Sequence, residues 1–196
     1  MHADPLPGQG AAENAAWVDV DLPQPAREVS GYIEDIERLL RLNPHLEIRR
    51  FEKTPQGFDI EAFNEMNGLA VSGRLTFERP LPHALLLRHD TGLKLSTEFT
   101  LEPLGAGSRL RIRETYRQPV DEAEMAQVDR SLTPWGRSLR RHFLGLARWG
   151  NVPFYRWWRE RVWLGMRPRE RRVARLIVWS AVIEFFVFLL ALWLYV

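Results

Sequence analysis

The end of this chain limits it more than any other feature. Residues 176–196 read LIVWSAVIEFFVFLLALWLYV, with Ser180 and Glu184 as the polar interruptions. At about 1.5 Å per helical residue, the run reaches roughly the ~30 Å of a bilayer's hydrocarbon core. A helix that is apolar all round must be buried on every side, and a soluble domain rarely ends on one. Fourteen of these residues are Leu, Ile, Val or Phe. Together they favour insertion by about 4–8 kcal/mol, against about 2.5–3.5 kcal/mol for one mid-span acid. Trp179 near one end, and Trp193 with Tyr195 near the other, suit the two interfacial layers. The run is therefore expected to be a transmembrane helix. The competing reading is a fully buried helix in a soluble core.

Arginine sets the expected orientation. Arg167, Arg169, Arg171, Arg172 and Arg175 crowd the flank before the run, against Glu170 alone. The positive-inside rule then places residues 1–175 on the cytoplasmic face of a single-pass, tail-anchored protein, in the inner membrane if it is bacterial. The opening MHADPLPGQGAAENAA has neither a basic n-region nor an apolar h-region, so residues 1–14 read as a flexible arm and not a signal peptide. Residues 1–130 carry 15 basic and 22 acidic side chains; residues 131–196 carry 12, all Arg, against 3. Seven of the eight Trp residues share that basic second half. Arg with Trp beside a span suits anionic headgroups, so membrane lipids are the expected partners and nucleic acid is not. The absence of Cys excludes disulfides, thiolate metal sites and a thiol nucleophile, and agrees with a reducing compartment.

The preceding ~150 residues suffice for one domain. Trp17–Leu22 alternates Val18, Val20 and Leu22 with Asp19 and Asp21, a strand with one wet face. Helical spacing follows at Val29, Tyr32, Ile33, Ile36, Leu39 and Leu40, with Gly31 predicted to divide two short helices and Asn43-Pro44 to end them. Six strand-like runs follow: His45–Glu52, Gly57–Asn64, Leu69–Glu78, His83–His89, Leu93–Leu101 and Ser108–Arg117. Short links imply an antiparallel meander, and Gly105-Ala106-Gly107 reads as a hairpin turn rather than a phosphate loop. From Leu132, a stripe of Trp135, Leu139, Phe143 and Leu146 predicts a long helix covering the sheet's apolar face, in preference to lying on a membrane. The predicted class is α+β: a seven-stranded curved antiparallel sheet around a long C-terminal helix, with two short helices after strand 1 and one transmembrane helix. The divisions are 1–14, 15–150, a juxtamembrane linker at 151–175, and 176–196.

This order, with the segment VDVDLPQPAREVSGYIEDIERLLRLNPHLE entering it, resembles the START-like, birch-pollen-allergen-like superfamily, also called SRPBCC or polyketide cyclase-like. The resemblance spans about residues 15–150. It implies a helix-grip fold with an apolar cavity between sheet and helix. Members bind or carry lipids, sterols, quinones or polyketides, and a minority catalyse reactions there. It implies no universal catalytic motif, and no cofactor is expected.

Strand parity selects the side chains that face such a cavity. Asn64 is in phase with Phe58, Ile60 and Ala62; His89 with Leu85 and Leu87; Thr97 with Leu93, Leu95, Phe99 and Leu101; Glu114 and Tyr116 with Leu110 and Ile112. Asn64, His89, Thr97, Glu114 and Tyr116 are thus the candidate ligand-binding residues. Glu114 reads either as a ligand-orienting or acid/base carboxylate, or as the partner of an Arg such as Arg50. His89, next to Asp90 at a strand end, also reads as an exposed turn residue. His83 and His89 lack a carboxylate cluster at ligand spacing, so no metal is expected.

In the linker, Asn151 with Pro153 marks a helix start, and PFYRWWRERVWLGM sets aromatics among arginines. Trp157, Trp158, Trp163, Arg167, Arg169, Arg171, Arg172 and Arg175 are the expected membrane-interface residues; packing of these aromatics on the domain itself is the alternative. Within the span, Ser180, Glu184, Val187 and Ala191 share one stripe, suited to a homo-oligomer or another membrane protein. The functional expectation is membrane-tethered binding or transfer of a lipid or other apolar small molecule. The alternatives are a cyclase- or hydrolase-like enzyme using Glu114, and an accessory or scaffold subunit of a membrane complex.

Overall fold

The computed structural model describes residues 14–118, 122 and 130–195. All of the expected arm except Asn14 lies outside them. Seven strands form one antiparallel sheet: β1 (Asn14–Leu22), β2 (Leu46–Thr54), β3 (Gly57–Asn64), β4 (Leu69–Glu78), β5 (Ala84–His89), β6 (Lys94–Leu104) and β7 (Gly107–Tyr116). Their order is β1-β7-β6-β5-β4-β3-β2. Short turns make β2 to β7 a meander, and β1 pairs with the far edge at β7 from Asn14↔Tyr116 to Leu22↔Ser108. Helices α1 (Ala26–Ile33) and α2 (Ile36–Arg41) follow β1. The break between them falls at Glu34-Asp35 and not at Gly31, which sits inside α1. Asp35 accepts a hydrogen bond from the Arg38 N–H at 3.0 Å and so starts a new helix. A side-chain cap is a stronger terminus than one glycine, whose cost within a helix is about 1 kcal/mol.

The long helix α3 (Leu132–Trp149) buries Leu132, Trp135, Gly136, Leu139, His142 and Phe143. It lies along β1, while α1 covers β6 and β7 and α2 packs on β2. Among the described residues no helix packs extensively on β4. The core joins Val29, Leu39, Leu87, Phe99, Leu110, Ile112 and Leu139, all fully buried. Polar ties fix the helix at both ends. Asn43 Nδ2 donates to Ser131 Oγ at 2.7 Å, Trp135 Nε1 to the Leu39 carbonyl at 3.2 Å, and Gln24 Nε2 to the Phe143 carbonyl at 2.7 Å.

Beyond α3 the chain turns at 150–154. The predicted helix start at Asn151 is displaced to Tyr155, because Phe154 takes a left-handed conformation (φ 63°) in between. A helical turn at Tyr155–Trp157 widens into a π-helical stretch at Trp158–Trp163, and these together form α4. Helix α5 (Pro168–Tyr195) then runs for 28 residues. Pro168 opens it, and Glu170 Oε2 accepts from the Arg167 N–H at 2.8 Å. It is long and apolar enough to cross a membrane, and its apolar stretch is not buried against the domain.

Two β-bulges break strict alternation. In β2 the pairing shifts between Ile48 and Arg50, and in β6 between Lys94 and Ser96. A bulge inserts one residue and re-aims the side chains after it. Arg50 therefore points outward to Glu52 and Glu61, and Leu95 is exposed although parity placed it inside.

Two consequences are measurable. A Cβ on Gly136 would stand 3.1 Å from methyls of both Val18 and Val20, so Gly136→Val should destabilise the fold by about 1–3 kcal/mol, read as a lower unfolding midpoint. The core also holds His142, fully buried, with neither ring nitrogen hydrogen-bonded among the described residues. Burial, aided by the charges of Arg159 and Arg38, pushes its pKa down to about 3. The unfolded chain takes up this proton below about pH 6.5 and the folded chain does not, so stability falls as pH drops through that window toward 3. Going from pH 7 to pH 5 should cost about 2 kcal/mol in denaturant unfolding, and His142→Phe should remove most of that slope.

Candidate ligand-binding site

Between the sheet and helices α2 and α3 lies a cavity of about 290 Å³. Its apolar wall comes from α2, the inner face of β3 and β4, and α3, through Leu40, Leu46, Ile60, Leu75, Leu93 and Trp135. Its polar end is built on β5, β6 and β7. Glu114 is 1% exposed and sits at its centre. Lys94 Nζ donates to Glu114 Oε1 at 2.6 Å, and Tyr116 Oη donates to Oε2 at 2.5 Å. The Lys94 ammonium lies 5.9 Å from the Tyr116 ring centroid, so cation, ring and carboxylate form one group. Beside them His89 Nε2 and Thr97 Oγ1 are 3.2 Å apart. On the opposite wall Asn64 Oδ1 accepts the Met66 N–H at 2.9 Å, which fixes the β3–β4 turn at the rim.

The bulge in β6 explains this assembly. Lys94 precedes the shift and pairs with Tyr116, while Thr97 after it pairs with Glu114. The extra residue turns Leu95 outward and lets both Lys94 and Thr97 face inward. A carboxylate in this setting needs compensation, and Lys94 and Tyr116 provide it at both oxygens. The arrangement can bind a molecule with an apolar body and one polar group, offering cation, hydroxyl and imidazole contacts at one end and an amide on the opposite wall.

The chain is similar in structure to a START superfamily protein from Mycobacterium smegmatis, with a TM-score of 0.51 and 15% identity over 67% of this chain and 98% of that one. It is also similar to the solution structure of KanY protein, with a TM-score of 0.53 and 16% identity over 69% of this chain and 100% of that one. The fold is the START-like helix grip. No protein-family model matches the sequence, and no curated protein does.

Asn64, His89, Thr97, Glu114 and Tyr116 all line this one cavity. His89 is half-buried and engaged with Thr97, so it is not simply an exposed turn residue. Glu114 pairs with Lys94 and not with Arg50, for the reason the bulges give. Lys94 is the cavity-lining residue that alternation missed, because the bulge at Leu95 puts it out of phase with the strand that follows.

The expected interfacial residues divide. Trp157, Arg167 and Arg169 are exposed, and Trp158 partly so. Trp163 is instead packed into the domain's apolar cluster with Leu164, because the π-helical turn swings it inward. Arg171 is buried too. Its guanidinium donates to the carbonyls of Met166 at 3.1 Å and Arg41 at 2.9 Å, and burial with neighbouring arginines pushes its pKa down to about 10. Arg172 makes two bonds to Glu65, at 2.7 and 3.1 Å, and Arg175 lies 5.5 Å from the Trp163 ring centroid. The base of α5 is thus clamped to the ends of α2 and β3. In the apolar run Ser180, Glu184, Val187 and Ala191 are exposed, and Ser180 Oγ donates to Glu184 Oε1 at 2.9 Å.

Lys94→Met should leave the buried Glu114 carboxylate without its cation and destabilise the domain by about 3 kcal/mol. Lys94→Met with Glu114→Gln should recover most of that loss in the same unfolding measurement, because no buried charge is then left unpaired.

Proposed function

We propose that this chain binds one small apolar molecule carrying a single polar group, and exchanges it with the membrane in which α5 is anchored. The position of the cavity mouth carries this reading. Asn67, Leu69, Ala70 and Val71 form the rim on the β3–β4 side, and Glu65 of that same turn is the residue Arg172 grips. Arg172 lies one helical turn before the apolar run begins at 176. The mouth therefore opens beside the root of the span, where Met66, Leu69 and Val71 expose apolar surface. Tethering holds the cavity at a high effective concentration relative to molecules dissolved in that membrane.

Size narrows the ligand. About 290 Å³ is at the small end of the ~300–1,000 Å³ typical of ligand pockets. One ring system or one short chain fits this volume better than a two-chain phospholipid. Lys94, Glu114 and Tyr116 form a polar group with both carboxylate oxygens engaged, which favours recognition of a hydroxyl or carbonyl over proton transfer by Glu114. The arginines before the span support placing the domain on the cytoplasmic side.

Organic extraction and mass spectrometry of the full chain, purified from its own membrane, should recover a stoichiometric apolar small molecule. Val71→Trp at the rim should cut its recovery at least tenfold while leaving the unfolding temperature unchanged. Recovery of nothing from wild type, with no exchange of an apolar probe between the reconstituted chain and the vesicle membrane that holds it, would sink the proposal.

A further inference from the structure

A second cavity, of about 440 Å³, lies where α3, α4 and the base of α5 meet, and it shares no lining residue with the first. Five arginines line it: Arg141, Arg159, Arg171, Arg172 and Arg175. Two of them are spoken for, Arg172 by Glu65 and Arg171 by two carbonyls. Arg141, Arg159 and Arg175 make no ion pair and no side-chain hydrogen bond among the described residues, and the Nε of Arg159 is buried without a partner. Glu160, the acid beside Arg159 in sequence, is already shared by Arg38 at 3.5 Å and Arg156 at 3.8 Å.

Guanidinium groups gathered this way repel one another. Burial together with neighbouring arginines lowers the pKa of both Arg159 and Arg175. Yet they are held together. Both stand over the ring of Trp163, 5.7 and 5.5 Å from its centroid, and Trp163 is fixed in the core. The π-helical stretch carries Arg159 and Trp163, and such insertions recur at functional sites. A preformed, uncompensated cluster of forked donors is complementary to a phosphate oxyanion. The remaining wall says where that phosphate comes from. Ala174, Val178 and Trp179 of α5 line the same cavity, so it runs directly onto the first turns of the apolar span.

We propose that this cavity binds the phosphate headgroup of an anionic phospholipid, held by Arg141, Arg159 and Arg175, with its acyl chains lying along Val178 and Trp179. The site is independent of what the sheet encloses. It shares with the functional reading only the placement of α5 in a membrane. A lipid here neutralises the arginines at the joint between domain and span, and so stiffens that joint.

The full chain in detergent, titrated with phosphatidylglycerol, phosphatidylcholine of the same acyl chains, or inorganic phosphate, tests the assignment by native mass spectrometry and thermal unfolding. Phosphatidylglycerol should bind as one lipid per chain and raise the unfolding temperature, and phosphatidylcholine should do neither. Arg141→Gln/Arg159→Gln/Arg175→Gln should weaken phosphatidylglycerol about a hundredfold, from about fivefold per arginine. Without lipid this variant should unfold no earlier than wild type, since repulsion is relieved. If it does not fold, Arg175→Gln alone, at an exposed position, should show the fivefold loss. Val71→Trp should bind phosphatidylglycerol as wild type does, which separates this site from the first cavity. Equal retention of both lipids, or no loss in the arginine variants, would overturn the proposal. Equal stabilisation by millimolar inorganic phosphate would replace the lipid with a free anion and overturn it as well.

Discussion

The structure depends on covering one apolar sheet face with one helix. Val18, Val20 and Phe99 need a partner, and α3 provides it, with Gly136 against the two valines and Trp135 against the Phe99 ring. Placing α3 against β1 has an unavoidable counterpart. The sheet is seven strands wide, α1 and α2 cover other parts of it, and the region inside β3 and β4 keeps open space. The cavity is the geometric remainder of that packing, and the ties Asn43–Ser131 and Trp135–Leu39 prevent α3 from sliding over to close it.

That remainder is not uniformly oily. Its polar end concentrates a carboxylate, an ammonium, a phenol and an imidazole within two adjacent strand pairs. Burying such groups costs stability unless each finds a partner, and here each does. The same compensation appears differently at the base of α5, where Arg171 is satisfied by carbonyls instead of an acid. The domain thus uses buried charge twice: once at the polar end of the cavity, and once to fasten a helix.

Periodicity alone makes much of this fold legible. The strand and helix order, the covering stripe on α3 and the apolar run at 176–196 all follow from where apolar residues recur. The five cavity-lining residues are legible because alternation places Asn64, His89, Thr97, Glu114 and Tyr116 in phase with core neighbours. Alternation fails wherever a bulge intervenes, and bulges leave no composition signal. This is why Lys94 was missed and Arg50 stood as an alternative partner for Glu114. The linker misled for another reason. Trp163 and Arg171 have the composition of a headgroup layer, and only the π-helical turn and the carbonyls of Met166 and Arg41 reveal that they face protein. Gly31 was likewise overruled by the side-chain cap at Asp35.

The clamp of Arg171 and Arg172 changes the mechanical character of the whole chain. A flexible linker would let a domain swing through a volume many ångströms across and reach a facing membrane. Here the helix leaves the domain as a stiff mast, with the β3–β4 turn bolted to its foot. On the reading proposed above, the domain cannot ferry cargo between two bilayers. It serves the single leaflet from which it rises, with one fixed face turned toward it.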